Sequence, residues 1–182
     1  MARNTVARSL HDVGLAAWFG GTLANAVSLN AASGQADDAT RAGAVTNVGW
    51  DRWTPVNAAA IGAHLIGSTG LLAADASRVR AQKGVASMVL LKTALTAAAL
   101  GATAYSRALG KKVSQRTDVP VASGTESTAS TPSDVAQAQR QLSMLQWAVP
   151  ALTGALVVVS AYAGEQQRPG EVHKGLVSQI VS

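Results

Sequence analysis

VASMVLLKTALTAAALGATAYS, Val85 to Ser106, is the stretch that decides the fold. It carries a single charge, Lys92, and basic residues crowd both of its ends. A helix rising 1.5 Å per residue needs roughly 20 mostly apolar residues to cross the hydrocarbon core of a bilayer. Soluble helices pair an apolar stripe with a charged face, and this segment has no such face to turn toward water. It reads as a transmembrane helix.

Three further apolar blocks repeat the pattern, so the expected fold is all-α: an integral membrane four-helix bundle forming a single domain over residues 1–182. Of the 182 residues, 14 % are charged, against about 25 % in a soluble domain. The mean hydropathy of +0.18 is modest because long polar stretches dilute the apolar blocks. There is no cysteine, which removes disulfides, thiolate metal sites and a cysteine nucleophile. The net charge of +5 raises nucleic acid as a partner. The basic residues flank apolar blocks instead of interleaving with aromatics along a stripe, so no nucleic-acid partner is expected.

In chain order, the first helix is expected over about 11–30. A basic start, an apolar run and Ala24-Asn25-Ala26 also fit a secretory signal peptide. The Gly and Asn content of the block favours a retained helix. Asn30 to Thr54 reads as a solvated loop ending in Trp50 and Trp53, which suit a headgroup layer. Thr54-Pro55 then resembles an N-cap and first helical residue, opening a helix over about 55–76. A basic turn leads to the third helix, about 84–108. Residues 113–130 read as a flexible, low-complexity loop. Thr131-Pro-Ser-Asp134 fits a capping box that opens a fourth helix, about 132–163, in which Pro150 should introduce a kink. Residues 165–182 form a short tail. Counting basic residues on either side of four spans gives a tie. The short basic loop 75–84 favours both termini in the cytoplasm.

Helices in lipid associate through small residues and interhelical hydrogen bonds. Ala16-xxx-Gly20-xxx-Ala24, Ala17-xxx-Gly21, Ala59-xxx-Ala63-xxx-Gly67 and Ala97-xxx-Gly101 supply small faces. Polar residues fall seven apart, as His11, Trp18 and Asn25, as Asn57 and His64, and as Gln146, Thr153 and Ser160, while Lys92, Thr96 and Thr103 share one face of the third helix. The intramembrane polar set Asn25, Asn57, Lys92 and Gln146 reads first as structural glue. Helical rise puts Lys92 roughly 12 Å and His64 roughly 15 Å from the inner edge, one layer of the bundle. No carboxylate is expected there, so Lys92 would snorkel toward Asp75 or Asp12. An ion pathway or an anionic headgroup site is the functional alternative. His11 and His64 are the candidate cofactor ligands, for haem b. By the same rise they lie at different depths, which disfavours joint axial ligation but leaves a single axial histidine open. No HExxH, GxSxG or Walker loop is present, and Gly20-Gly21 lacks the context of a dinucleotide fingerprint. No catalytic residue, metal site or obligatory cofactor is expected.

The segments HDVGLAAWFGG (His11 to Gly21), GWDRWTPVNAAAIGAHL (Gly49 to Leu65), LLKTALTAAALGATAYS (Leu90 to Ser106) and QLSMLQWAVPALTGALVVVSA (Gln141 to Ala161) resemble a family of small four-pass actinobacterial membrane proteins. That resemblance implies four helices in the bacterial plasma membrane and no established activity. More distantly, a histidine opening the first span and followed by Trp and Gly-Gly is similar to copper-resistance membrane proteins and to haem-dependent protoporphyrinogen oxidase. The latter likeness implies a haem ligand at His11. The leading expectation is a non-catalytic accessory or scaffold subunit whose partners are the lipid bilayer and other membrane subunits or itself. A haem- or quinone-linked redox protein and a small ion or metal transporter are the alternatives.

Overall fold

The computed structural model describes residues 4–116 and 118–165. Helix α1 (Thr5–Ala24) runs through a π-helical turn (Asn25–Leu29) into the short α2 (Asn30–Ser33). Then come α3 (Ala39–Ala74), α4 (Ala76–Ala81), α5 (Lys83–Ser114), a hairpin of β1 (Val121–Ser123) and β2 (Glu126–Ser127), and α6 (Ser133–Glu165). Three helices are long and apolar enough to cross a membrane: Ala39–Ala74, Gly84–Ser114 and Ser133–Gly164. The first helix is not among them, since Arg8, His11 and Asp12 interrupt its apolar run.

That deficit is explained by position. α1 packs along α3 on one side and α6 on another, while α5 packs chiefly along α6. The inner helix buries His11, Trp18 and Thr22 completely or nearly so. Polar groups on an inner helix meet protein, where interhelical bonding offsets their desolvation. The core is Leu15, Trp18, Ala60, Ala99 and Leu156, contributed by all four long helices.

The α1–α3 pair is antiparallel and sewn together by glycines. A Cβ added at Gly14 would strike the carbonyl oxygen of Ala60 and lie 2.5 Å from the amide nitrogen of His64. At Gly67 it would strike the amide nitrogen of His11 and lie 2.5 Å from the carbonyl oxygen of Ala7. Gly21 receives the ring of Trp53, and Gly49 receives the side chain of Leu29. The small-residue faces read from the sequence therefore hold at Gly21 and Gly67 and fail at Gly20 and Gly101, where a Cβ would meet nothing within 4 Å. Alanine and glycine spacing alone does not tell a seam from a lipid-facing surface.

Three other expectations are corrected. Asn30 to Thr54 is not a loop: α3 begins at Ala39, and the buried positions Ala42, Thr46, Asn57, Ala60, His64 and Gly67 form one helical face. Small and polar contact residues hid that periodicity. Thr54-Pro55 accordingly lies inside α3, with the Thr54 hydroxyl donating to the carbonyl of Trp50 at 2.7 Å. At 36 residues α3 is about 54 Å long, against about 30 Å of hydrocarbon, so part of it stands outside any membrane it crosses. Trp50 and Trp53 are half-buried packing residues of α3, Trp53 against Gly21 and Trp50 donating to Asn30.

The low-complexity stretch is likewise structured. In the hairpin Val121 pairs with Ser127 and Ser123 with Glu126, and Val121 and Ser123 are buried. Gly124 fits where a Cβ would come within 2.7 Å of the Thr46 methyl, and its N–H donates to Ser33 Oγ at 2.9 Å. No capping box forms at 131–134. Thr131 Oγ1 instead donates to Pro120 O at 2.6 Å and accepts from Thr128 N at 2.8 Å, closing the base of the hairpin. Asp134, freed from capping, meets Arg116 at 3.1 Å. Helix α6 continues through Pro150, and α5 reaches Ser114, six residues past its expected end. The tail expected at 165–182 falls outside the described residues beyond Glu165.

Candidate functional site

The two ends of the bundle are built differently. At the hairpin end, the end of α1 widens into a π turn, with Thr22 Oγ1 donating to Trp18 O at 2.7 Å and Asn30 N to Asn25 O. A π turn inserts an extra residue and re-aims the side chains beyond it. Here the first of these is Asn30. Its amide nitrogen donates to Gln146 Oε1 at 2.9 Å, and its Oδ1 accepts from Trp50 Nε1 at 3.1 Å. Ser33 and the hairpin extend this network: Ser33 Oγ donates to Asn30 O, and Gln139 Nε2 donates to Ser123 O at 3.3 Å. Gln146 thus ties α6 to Asn30, which lies one π turn beyond Asn25. Asn25 itself is half-buried at the start of that turn.

At the opposite end a cavity of about 440 Å³ opens between α1, α3, α5 and α6. Apolar side chains such as Leu65, Leu72, Met88, Val89 and Leu100 line most of it. Its polar wall is formed by Arg8, His11, Asp12, Asp75, Arg78 and Lys92. Arg8 near the start of α1 and Gly164 near the end of α6 both line it, so the two described chain ends lie at this same end.

His11 is the centre of the polar wall. Its Nδ1 lies 2.7 Å from Asp12 Oδ1, and its Nε2 lies 3.2 Å from Lys92 Nζ. A carboxylate accepts and an ammonium donates, so Nδ1 carries the proton and Nε2 offers its lone pair. The imidazole bridges a negative and a positive group and is saturated by both. The His11 side chain is 2 % exposed and that of Asp12 61 %, so the chain of bonds runs from an exposed carboxylate through a buried imidazole to the half-buried Lys92. His64 packs on His11 with ring centroids 4.7 Å apart and lies 6.1 Å from the Trp18 ring. Its Nδ1 donates to His11 O at 3.4 Å, and its buried Nε2 has no partner among the described residues.

Two expectations about depth are overturned. His11 and His64 touch, although helical rise from the assumed edges set them about 15 Å apart. α1 starts at Thr5 and slides along α3 until Gly67 meets His11, which puts both rings in one layer. Lys92 does not run out to a carboxylate but turns to His11. The resemblance to a haem protein can be tested on these atoms. The rings pack against each other, leaving no gap for a porphyrin between them. The His11 nitrogens are both engaged, and the fully buried His64 is not among the residues lining the cavity. The donor set does not fit an axially ligated haem in this arrangement.

Asn57 is buried on the same α3 face as His64, with its Oδ1 unpartnered. Of the third-helix polar face, Thr103 accepts from Trp18 Nε1 at 3.2 Å while Thr96 lines the cavity. Among the described residues no group of three or more His, Cys, Asp and Glu is placed to hold a metal ion. Sequence reasoning missed the role of Asp12, which looked like an inner-edge residue; its adjacency to His11 was the available signal. It also missed Asn30, for which the sequence gives no signal, because the π turn that aims it has none. Comparison with protein-family models, with characterised proteins and with solved structures gives no match.

Proposed function

We propose that this chain is a four-pass protein of the bacterial plasma membrane that binds and assembles instead of catalysing, as an accessory subunit of a larger membrane complex. The observation that supports it is α5. Of its described side chains only Ala99 is buried, and Leu90, Leu91 and Tyr105 stand well exposed along its length. A helix so lightly held by its own chain gains by packing against lipid or another subunit. In this reading the cavity end, with both chain ends and the basic Arg78 and Arg80, faces the cytoplasm.

The test is mild-detergent extraction of the tagged chain from its host membrane. A second membrane protein co-purifying in fixed ratio is the expected result, lost when Leu90 and Leu91 are changed together to bulky tryptophans. A lone monomer would overturn the accessory role.

A second reading has its own observation in its favour. The Asp12–His11–Lys92 chain joins an exposed carboxylate and an ammonium, both lining the cavity, through an imidazole that bonds at both nitrogens. A small proton or ion carrier would use that link. Lys92→Leu should then abolish transport in vesicles while leaving the assembly intact.

A further inference from the structure

On the polar wall of the cavity, Lys92 keeps hydrogen-bonding capacity beyond its contact with His11. Lys92 has three N–H donors, of which His11 Nε2 takes one. The carboxylate linked to it, Asp12, sits on the far ring nitrogen, with the neutral imidazole between the two charges. Around Lys92 the lining is mostly apolar, with Leu65, Val89 and Leu100; the Thr93 hydroxyl is turned to Val89 O, and the two carboxylates of the cavity, Asp12 and Asp75, are held by His11 and Arg78. An ammonium in apolar surroundings is costly unless an anion meets it. The volume, about 440 Å³, is within the 300–1,000 Å³ of small-molecule sites. The helices α3 and α5 that flank it scarcely touch, which leaves a lateral way in.

We propose that the cavity binds a single-chain lipid anion, with its carboxylate or phosphate head on Lys92 Nζ and its acyl chain along the Leu65–Leu100 wall. Charge selects the head and the apolar wall selects the tail. A neutral lipid would leave the ammonium unpaired, and an inorganic anion would leave the wall wet. This rests on the chain lying in a membrane, and it holds with or without a partner subunit.

The test is equilibrium binding of radiolabelled oleate to the full chain purified in maltoside detergent. One saturable site per chain is expected, displaced by lysophosphatidylglycerol and not by monoolein or inorganic phosphate. The tighter of oleate and lysophosphatidylglycerol identifies the head as carboxylate or phosphate. Lys92→Met should weaken oleate binding by about 10- to 100-fold, the loss of a hydrogen bond to a charged group, and Lys92→Arg should recover most of it. Leu65→Trp, which narrows the apolar part and leaves the Lys92–His11 contact in place, should also abolish binding. It decides the matter if Lys92→Met proves unfolded by circular dichroism and gel filtration. Absence of saturable binding, displacement by monoolein as readily as by oleate, or wild-type affinity in both variants overturns the proposal. A monomer that binds oleate retains it and refutes only the accessory role.

Discussion

The hairpin end and the cavity end of this bundle bury similar kinds of residue and treat them in opposite ways. At the hairpin end the polar groups answer one another: Asn30 joins Trp50 to Gln146, Ser33 joins α2 to Gly124, and Thr131 joins Pro120 to Thr128. At the cavity end the groups are charged, strung in a line from Asp12 through His11 to Lys92, and surplus donors remain beside an open volume. Such an amide and hydroxyl network fixes geometry, because its members hold one another, although Gln139 Oε1 has no partner among the described residues. An open charged one leaves something for a ligand to complete. Burial of polar residues in this bundle is therefore not one signal but two, told apart by whether the groups satisfy each other.

The comparison can be broken most violently along the α1–α3 seam that connects both ends. Gly14→Val places a side chain on the Ala60 carbonyl and the His64 backbone, where nothing flexible can yield, and should cost about 3 kcal/mol or more. Gly20→Ala, facing open space, should stay within about 0.5 kcal/mol. Denaturation in mixed micelles measures both, and equal effects would mean the seam is not where the packing puts it.

A sharper probe of the hairpin end is Asn30→Leu. It strands the Trp50 indole N–H and the Gln146 carbonyl oxygen at once, and should destabilise by about 2 kcal/mol. Loosening should spread to the hairpin, read as faster amide exchange at Gly124. If exchange there is unchanged, the members do not hold one another.

Lys92→Met at the cavity end should cost less than about 1 kcal/mol, since it removes a charge from apolar surroundings and frees one acceptor beside a cavity. A loss as large as that of Asn30→Leu would show the Lys92–His11 contact to be structural glue and erase the distinction between the two ends.

The smallest effect is local and pH-dependent. Asp38 caps α3: Thr40 N and Oγ1 both donate to its Oδ1 at 2.7 Å, and these bonds hold its carboxyl below the usual range. A carboxyl depressed on folding stabilises above its unfolded value, about 3.9, and that contribution fades as pH falls through the lower folded one. The first turn of α3 should therefore fray in acid, seen as accelerated exchange of the Thr40 amide below about pH 4. Asp38→Asn should remove the pH dependence while keeping a cap. Acid-independent protection of Thr40 in the wild-type chain would contradict this.

Much was legible in the residues. Long apolar runs with few charges marked α5 and α6 and the second half of α3, because a helix that must satisfy its backbone in lipid announces itself by composition. Lys92 and His64 stood out as ionisable groups in one layer, and they do flank a single imidazole. The first half of α3 was illegible, since its buried positions are Ala42 and Thr46, with Gly49 beside Leu29, and these carry no apolar rhythm to read. The hairpin was hidden for the same reason: Ser, Thr and Gly bury themselves by hydrogen bonds, which leave no mark on hydropathy.

By itself, then, the sequence determined that this is a helical chain with spans suited to a membrane, and which few polar residues those spans carry. Hydropathy and helical rise are properties of each segment alone. Only the tertiary structure decided which glycines form the seam, that His11 meets both His64 and Lys92, and that Asn30 and not Asn25 ties the hairpin end together. Those outcomes turn on the slide of α1 against α3 and on one π turn. Both are set by how close two backbones can come, which no segment records on its own.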